Sequence, residues 1–190
     1  MKKINLCIDI DSTVTKPDYW VDYFNKHFNT NYKYSDDTVE EYLKNNNVDY
    51  KIFDEFYHKY AEEMHKTAEI RPDAFENIKK LEEFCEISYV TARESHIEPI
   101  TVEWLKKHKV YNDTYHLGSF DKTGKARDLN CDVFIEDNIE TSKELVQEGI
   151  QVLLIDTGFN RYENPHNIKR VKDWNEIYNE VENYYNNKNK

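Results

Sequence analysis

Two aspartates stand one residue apart at the end of the first apolar run of the chain. Residues 6–15 read Leu-Cys-Ile-Asp-Ile-Asp-Ser-Thr-Val-Thr, and the pair is Asp9 and Asp11. Asp and Ser are common where a strand enters a turn, which is the simplest interpretation. An unpaired buried carboxylate is costly, however, and an oxygen-seeking cation at a strand end would offset most of that cost. The pair therefore also fits a metal-assisted site in which one aspartate acts as a nucleophile.

Three more polar stretches lie at or between the ends of apolar runs. They are Thr91-Ala92-Arg93, Asp121-Lys122-Thr123 and Glu136-Asp137. In an open parallel sheet, ligands bind outside the carboxyl ends of the strands, at the point where the winding reverses. With strand order 3-2-1-4-5, that point lies between the first and fourth strands, so the two acidic pairs would face each other.

Such a set of side chains is suited to phosphoryl transfer. Crowded carboxylates repel one another and need a divalent cation, and Mg²⁺ suits a site made entirely of oxygen ligands. A lysine and a hydroxyl group can bind the phosphoryl oxygens as negative charge spreads over them.

The elements that must position these residues alternate between strand-like and helix-like from Phe75 onward. After the first strand, apolar runs predict strands at Ile87–Thr91, Tyr115–Leu117, Asp132–Glu136 and Gln151–Asp156. Helical patterns cover residues 95–108, 122–129 and 139–148, and a capping box at residues 173–176 predicts a last helix that frays near residue 186. This alternation predicts an α/β fold with a Rossmann-like parallel sheet flanked by helices.

Residues 18–67 show helical patterns but no strand. Aromatic residues recur at helical spacing over residues 19–28, and Asp37 and Glu40 have the capping-box spacing that predicts the start of a second helix. We therefore predict a small helical cap inserted after the first strand. The core would comprise residues 1–16 and 68–190, and the cap residues 17–67.

The composition limits the compartment and the partners. The formal net charge of −11 opposes binding of long nucleic acids but permits a small anionic substrate in a pocket where cations are concentrated. The apolar runs are too short for a membrane span, and the first residues lead directly into a strand, so we expect neither a membrane segment nor a signal peptide. Cys7, Cys85 and Cys131 lack metal-ligand spacing, which predicts buried free thiols and a cytoplasmic location.

The chain resembles the haloacid dehalogenase-like phosphohydrolases in four sequence elements that occur in that family's order. These are Asp9-Ile10-Asp11-Ser12-Thr13, Thr91, Lys122 and Glu136-Asp137. The resemblance covers essentially the whole chain. Within this group it is most similar to the 5′(3′)-deoxyribonucleotidases and their bacterial relatives, because of the cap position, the Asp-Lys-Thr stretch and the strand that ends in paired acids.

The resemblance implies a role for each matching residue. Asp9 would attack phosphorus and form an aspartyl-phosphate, and Asp11 would protonate the leaving alcohol and then activate water. Thr91 would bind a phosphoryl oxygen, and Lys122 would neutralise charge. Asp9, the backbone carbonyl of Asp11, and Asp137 would hold Mg²⁺.

Three assignments stay open at this point. Glu136 stands where the deoxyribonucleotidases usually have Asp, which favours the following acid as the metal ligand and gives Glu136 a supporting role. Lys125 competes with Lys122, although the Asp-Lys-Thr match favours Lys122. Arg93 could reach the phosphate or pair with Glu94 at the surface.

The aromatic and histidine residues carry weaker signals. Tyr19 and Trp20 follow the first motif closely, so a nucleobase between cap and core could stack on them. The stripe formed by Phe53, Phe56, Tyr57 and Tyr60 is more typical of a core. The seven histidines, including His65, His96 and His116, show no ligand spacing and are interpreted as surface or core residues.

The sequence thus favours a Mg²⁺-dependent phosphomonoesterase that acts on nucleoside monophosphates, with deoxynucleosides expected. The alternatives are a phosphatase for another small phosphate ester or for a nucleic-acid phosphate end, and a non-catalytic phosphate-binding module. The last is least favoured because Asp9 and Asp11 are both present. The sequence leaves the oligomeric state open.

Overall fold

A computed structural model describes residues 2–34, 43–45, 48–161 and 167–190. The helix start predicted at Asp37 lies outside these residues. Within them, no helix combines the length and the apolar character needed to cross a membrane.

The described residues form a six-stranded parallel sheet with the order β3-β2-β1-β4-β5-β6. The predicted order 3-2-1-4-5 is confirmed, with one more strand added beyond β5. The strands are β1 (Ile4–Ile8), β2 (Cys85–Val90), β3 (Tyr115–His116), β4 (Val133–Glu136), β5 (Gln151–Ile155) and β6 (Lys169–Val171).

Strand β1 occupies the centre because its residues can be buried on both faces. Its neighbours are β2 and β4, with Ile8 paired to Tyr89 on one side and to Ile135 on the other. Side chains from both neighbours and from the flanking helices bury the strand, as expected for a continuous apolar run in a parallel sheet. The carboxyl ends of β1 and β4 therefore lie side by side. The three cysteines are buried free thiols, as predicted.

Helices connect the strands, and those from residue 74 onward pack against the sheet. They are α1 (Val21–Phe28), α2 (Tyr50–Thr67), α3 (Ala74–Leu81), α4 (Glu98–Lys107), α5 (Lys122–Asp128), α6 (Ile139–Gln147) and α7 (Trp174–Lys188). The Asp173 carboxylate caps α7 by accepting from the backbone N–H groups of Asn175 and Glu176. The helix continues to Lys188 and does not end in the asparagines near residue 186.

Two elements differ from the sequence-based prediction. The segment expected as one helix from Ser95 begins with a 3₁₀ turn, and α4 starts at Glu98 with proline in its first turn, where the missing N–H costs nothing. Strand β6 was not predicted. It is a three-residue edge strand that contains Lys169 and Arg170, so it has no apolar run to reveal it.

Helices α1 and α2 pack through an aromatic cluster of their own, separate from the cluster around the sheet. The chain leaves β1 and returns to α3 at one antiparallel bridge between Thr15 and Ile70. Two backbone hydrogen bonds flank this bridge, from Lys16 to Glu69 and from Arg71 to Val14, both 2.8 Å long. The helical segment therefore departs and returns at one point, close to the end of β1.

Candidate active site

A tight turn after β1 displays the first two acids. The backbone N–H of Asp9 still donates to Ile135 of β4, at 3.0 Å, and the chain then folds back so that Val14 and Thr15 both donate to the carbonyl of Ile10. Ser12 takes a left-handed conformation with φ of 60°. The turn buries the Asp9 side chain and leaves that of Asp11 about a quarter exposed.

The first acidic cluster contains Asp9, Glu136 and Asp137 around Lys122. The Lys122 Nζ donates to Asp9 Oδ1 at 2.7 Å and to Glu136 Oε2 at 2.9 Å. The other oxygen of Glu136 accepts from the backbone N–H of Asn138 at 3.1 Å. Both oxygens of Glu136 therefore accept hydrogen bonds from groups of the protein.

Too much negative charge is buried in this cluster for Lys122 alone to balance. Burial raises the pKa of the Asp9 carboxyl to about 7, although the charge of Lys122 opposes the rise. Burial and then repulsion by Glu136 and Asp9 raise the pKa of Asp137 well above its ordinary value. The acids in turn hold the pKa of Lys122 above its usual range, against the effect of its burial.

The donor set of this cluster fits a hard divalent cation. One carboxylate oxygen from each of Asp9, Glu136 and Asp137 lies within 4.8 Å of the others, and all three residues are buried. A cation there would offset the burial and the repulsion that raise the pKa values of Asp9 and Asp137. Oxygen-only ligands are the set that hard cations such as Mg²⁺, Ca²⁺ and Mn²⁺ prefer, whereas zinc and copper favour sites with nitrogen or sulfur ligands.

Asp11 belongs to a second cluster, with Arg93 and His65. The Arg93 guanidinium donates from Nε to Oδ2 at 2.9 Å and from Nη2 to Oδ1 at 2.8 Å. His65 Nδ1 lies 3.3 Å from the same Oδ1. Burial alone would raise the pKa of Asp11, but Arg93 and His65 together hold it well below its ordinary value. Arg93 is buried, and its guanidinium pairs with Asp11 rather than with the adjacent Glu94.

The structure also shows which of the two candidate lysines reaches the acids and where the predicted threonine lies. Thr91 is buried at the end of β2, and its Oγ1 accepts from the backbone N–H of Arg93 at 3.2 Å. Lys122, in the first turn of α5, reaches the acids. Lys125 is not among the described residues that line the cleft.

A cleft of about 530 Å³ opens above the strand ends. Its floor holds the two clusters and Thr91, and its walls come from α2 and from the loops after β2, β3, β4 and β5. Four aromatic residues line it: Phe53, Tyr57, Phe120 and Phe159. Phe120 is 77% exposed, so its ring presents an apolar face to the cleft.

Tyr19 and Trp20 are placed elsewhere, which corrects the substrate contact expected for them. Trp20 is buried in the aromatic cluster and stacks on Tyr32 at 5.4 Å between ring centroids. Tyr19 packs beside His65, with its hydroxyl 3.5 Å from that of Tyr57. Neither ring is among the described residues that line the cleft, because both lie in the turn before α1 and pack against α2.

Sequence reasoning missed two groups that support the site. His65 and Tyr57 lie eight residues apart on α2, a spacing that shares a helix face, but nothing in the sequence places that face against Asp11. Asn160 is buried after β5, and its Nδ2 donates to the carbonyls of Asp137 and Ile155 at 2.7 and 2.8 Å. This amide ties the loop after β4 to the end of β5 and so holds Asp137 in place.

The described residues have the fold of the haloacid dehalogenase-like hydrolases, with acids at the strand ends. A haloacid dehalogenase-like family hydrolase of Streptococcus pneumoniae has the same fold, with a TM-score of 0.66, 11% identity and coverage of 94% of this chain and 98% of that one. A related hydrolase of Bacillus subtilis, solved bound to magnesium, matches with a TM-score of 0.63, 13% identity and coverage of 96% and 100%.

The chain belongs to the 5′ nucleotidase, deoxy (pyrimidine), cytosolic type C family, whose model matches residues 2–184. It is 40% identical over 179 residues to a nucleotidase of Clostridium acetobutylicum, covering 94% of this chain and 93% of the relative. The predicted relationship is thus confirmed, and the protein is a phosphatase of the nucleotidase type.

Proposed function

We propose that this protein hydrolyses deoxynucleoside 5′-monophosphates in a Mg²⁺-dependent reaction that passes through a phosphorylated Asp9. The observation that carries the proposal is the position of Asp9. Its carboxylate lies at the floor of an open cleft, between a lysine and two further acids, with a second aspartate two residues along the chain. The family description, deoxy (pyrimidine) 5′ nucleotidase, supports the substrate class. The buried free thiols suit the cytoplasm as its location.

Asp9, Asp137 and the backbone carbonyl of Asp11 would hold the Mg²⁺, with Glu136 supporting them through Lys122. The bound cation would supply positive charge to the phosphoryl oxygens and to the acids. The magnesium in the Bacillus subtilis hydrolase and the oxygen-only donor set support this choice.

Asp9 begins the reaction by attacking phosphorus with a carboxylate oxygen. The bond from phosphorus to the ester oxygen breaks as the new bond forms, and the departing oxygen takes a proton from Asp11. Lys122 and the hydroxyl of Thr91 bind the phosphoryl oxygens meanwhile. Asp11, now a carboxylate, takes a proton from water, which attacks phosphorus and restores Asp9 with release of inorganic phosphate.

The pairing of Asp11 with Arg93 bears on this proton transfer. A carboxyl with a lowered pKa is ionised before the substrate arrives, so it holds no proton to donate in the first step, and it is a weak base for the second. An arriving phosphate dianion repels the Asp11 carboxylate and competes for the Arg93 guanidinium, and both effects raise the pKa of Asp11. Substrate binding would therefore prepare Asp11 as the acid.

The charges and rings of the cleft favour a nucleoside monophosphate. Lys122 and Arg93 are the only lysine and arginine among the described residues that line the cleft, and both already pair with acids. Asp54 and Glu94 lie at its rim, where a second phosphate would be repelled. Phe53 and Phe120 offer apolar faces to a base. In this proposal, residues 17–67 form the cap that covers the base.

A turnover panel with Mg²⁺ tests this substrate class. We expect a deoxynucleoside 5′-monophosphate to exceed 2-deoxyribose 5-phosphate in kcat/KM, because the two differ only in the base that can stack on the rings. Stacking contributes roughly 1–3 kcal/mol per base, equivalent to about 5- to 150-fold. A nucleoside diphosphate should be a poor substrate. Equal kcat/KM values for the nucleotide and the sugar phosphate would refute the nucleotide assignment and leave the phosphatase chemistry standing.

The ratio of kcat/KM for the nucleotide to kcat/KM for the sugar phosphate, measured in Phe120→Ala, tests whether the base stacks on Phe120. Phe120 is highly exposed, so its removal opens no core cavity, and we expect the preference for the nucleotide to shrink toward that of the sugar phosphate. Trp20→Phe is the matched control, since Trp20 lies in the aromatic cluster and its exchange should leave the ratio unchanged.

Lys122→Ala should reduce kcat far more than Lys125→Ala. Lys122 carries the positive charge closest to the attacking carboxylate, and loss of such a group from a preorganised site typically costs about 10²–10³-fold. Lys125→Ala, which removes an equal charge outside the cleft, should have little effect. Steady-state kinetics on both variants decides the matter, and a larger loss in Lys125→Ala would reverse the assignment.

A further inference from the structure

We propose that His65 is a positioning residue for Asp11, so that helix α2 completes the general acid of the core. His65 Nδ1 lies 3.3 Å from Asp11 Oδ1, and His65 Nε2 is hydrogen-bonded to the Tyr57 hydroxyl at 3.0 Å. His65 is only 1% exposed, so its ring makes almost no contact with solvent in this position. The inference rests on the proposed role of Asp11 as the acid.

Asp11 is held from two sides by groups that belong to different parts of the fold. Arg93 follows β2 and is itself fixed in the core, with Nη1 donating to Thr101 at 3.3 Å and the guanidinium over the ring of Trp104. His65 comes from α2, beyond the Thr15–Ile70 bridge at which the helical segment leaves the core. Oδ1 of Asp11 is thus shared between a core group and an α2 group.

The Tyr57 hydroxyl fixes the histidine ring from behind. The hydroxyl is hydrogen-bonded to Nε2 of His65, so Nδ1 is the nitrogen that faces Asp11. The Tyr19 ring packs on the imidazole, with 5.5 Å between the ring centroids. By itself, the Arg93 guanidinium could hold the ionised carboxylate of Asp11 by pairing with both of its oxygens. When the substrate phosphate competes for the Arg93 guanidinium, His65 is the second contact that keeps Oδ1 aimed at the leaving oxygen. We therefore expect His65 to matter most for the step in which Asp11 donates its proton.

The dependence of the first-turnover rate on the leaving group distinguishes a positioning role of His65 from a purely structural role. With enzyme in excess, release of the alcohol reports only the acid-assisted step. A nucleoside is a poor leaving group and needs the proton, whereas p-nitrophenolate is a stable anion and does not. In His65→Leu we expect nucleoside release to slow by about 10- to 100-fold, in line with the cost of misplacing a catalytic group, while p-nitrophenolate release changes by less than about threefold.

Three further variants make the test specific. His65→Asn retains an amide nitrogen at the position of Nδ1 and should restore most of the nucleoside rate. Tyr57→Phe removes the hydroxyl that fixes the ring and should give an intermediate, leaving-group-selective loss. His27→Asn is the control, because His27 contacts Tyr60 in a similar pair on the exposed side of the helical segment, and both rates should stay unchanged.

The outcomes distinguish failure of the inference from failure of the proposed function. Equal slowing of both substrates in folded His65→Leu, or no rescue by His65→Asn, overturns the positioning role. Asp11→Asn serves as the reference and should show the same selectivity more strongly. If Asp11→Asn is selective and His65→Leu is not, the proposed function stands and the inference falls. If Asp11→Asn shows no selectivity, the acid role of Asp11 is wrong and the inference falls with it.

Discussion

Replacing Asp9 with asparagine should lower kcat by about 10⁴-fold or more while the protein remains folded. The substitution removes the oxygen that attacks phosphorus but keeps the size of the side chain and its hydrogen bond from Lys122. Loss of a covalent nucleophile typically costs several orders of magnitude in rate. Measurement of kcat on a deoxynucleoside monophosphate and on p-nitrophenyl phosphate should show the loss with both, because both require the same attack.

Stability data distinguish this loss from unfolding. Burial raises the pKa of Asp9 to about 7, so the ionised carboxyl is unfavourable in the fold, and its neutral amide should not lower the free energy of unfolding. Asp113→Asn makes the same chemical change outside the cleft, at an acid that accepts from Tyr111, and should keep full activity. Near-normal turnover in folded Asp9→Asn would eliminate the aspartyl-phosphate mechanism.

Removal of divalent cations should abolish activity almost completely. The acidic cluster buries three carboxylates against Lys122, so without a second positive charge the acids repel a phosphate dianion. Mg²⁺ should restore activity, and Ca²⁺ should inhibit, because its larger and looser coordination would misplace Asp9 relative to phosphorus. Activity assays in chelator, and after addition of each cation, measure this directly.

Thermal unfolding gives a second measurement that does not depend on turnover. A ligand that binds only the folded state raises its stability, so Tm should increase with Mg²⁺ concentration. Asp137→Asn should reduce that increase by removing one carboxylate of the cluster. Full activity in excess chelator, together with a Tm that does not respond to Mg²⁺, would show that the acids serve another purpose.

The parts of this protein that the sequence determined are those encoded by short segments. Strands β1, β2, β4 and β5 lie in apolar runs, and the residues that follow a strand necessarily lie at its carboxyl end. Once alternation with helices implies a parallel sheet, the loops after β1 and β4 must share one edge. Asp9 and the pair Glu136-Asp137 were therefore expected together, the family resemblance added Lys122, and the structure brings all four together. Their catalytic roles stay predictions until the variants are measured.

The tertiary structure decided everything that depends on how one element packs against another. A helical pattern shows that a face is apolar but not which surface it meets, so Trp20 was expected at the substrate and lies in a core, while Phe53 and Tyr57 line the cleft. The same limit hid the contact of His65 with Asp11.

The reach of long side chains is a second reason why the sequence alone did not predict all contacts of the site. Arg93 stands beside Glu94 in sequence, yet its guanidinium reaches an acid 82 residues away, because bidentate pairing inside the protein outweighs a screened contact at the surface. Strand β6 was not predicted for a different reason. An edge strand of three residues is stabilised by its neighbour and needs little apolar sequence of its own. Local patterns thus specified the strand ends and their acids, and long-range packing specified the side chains that surround them.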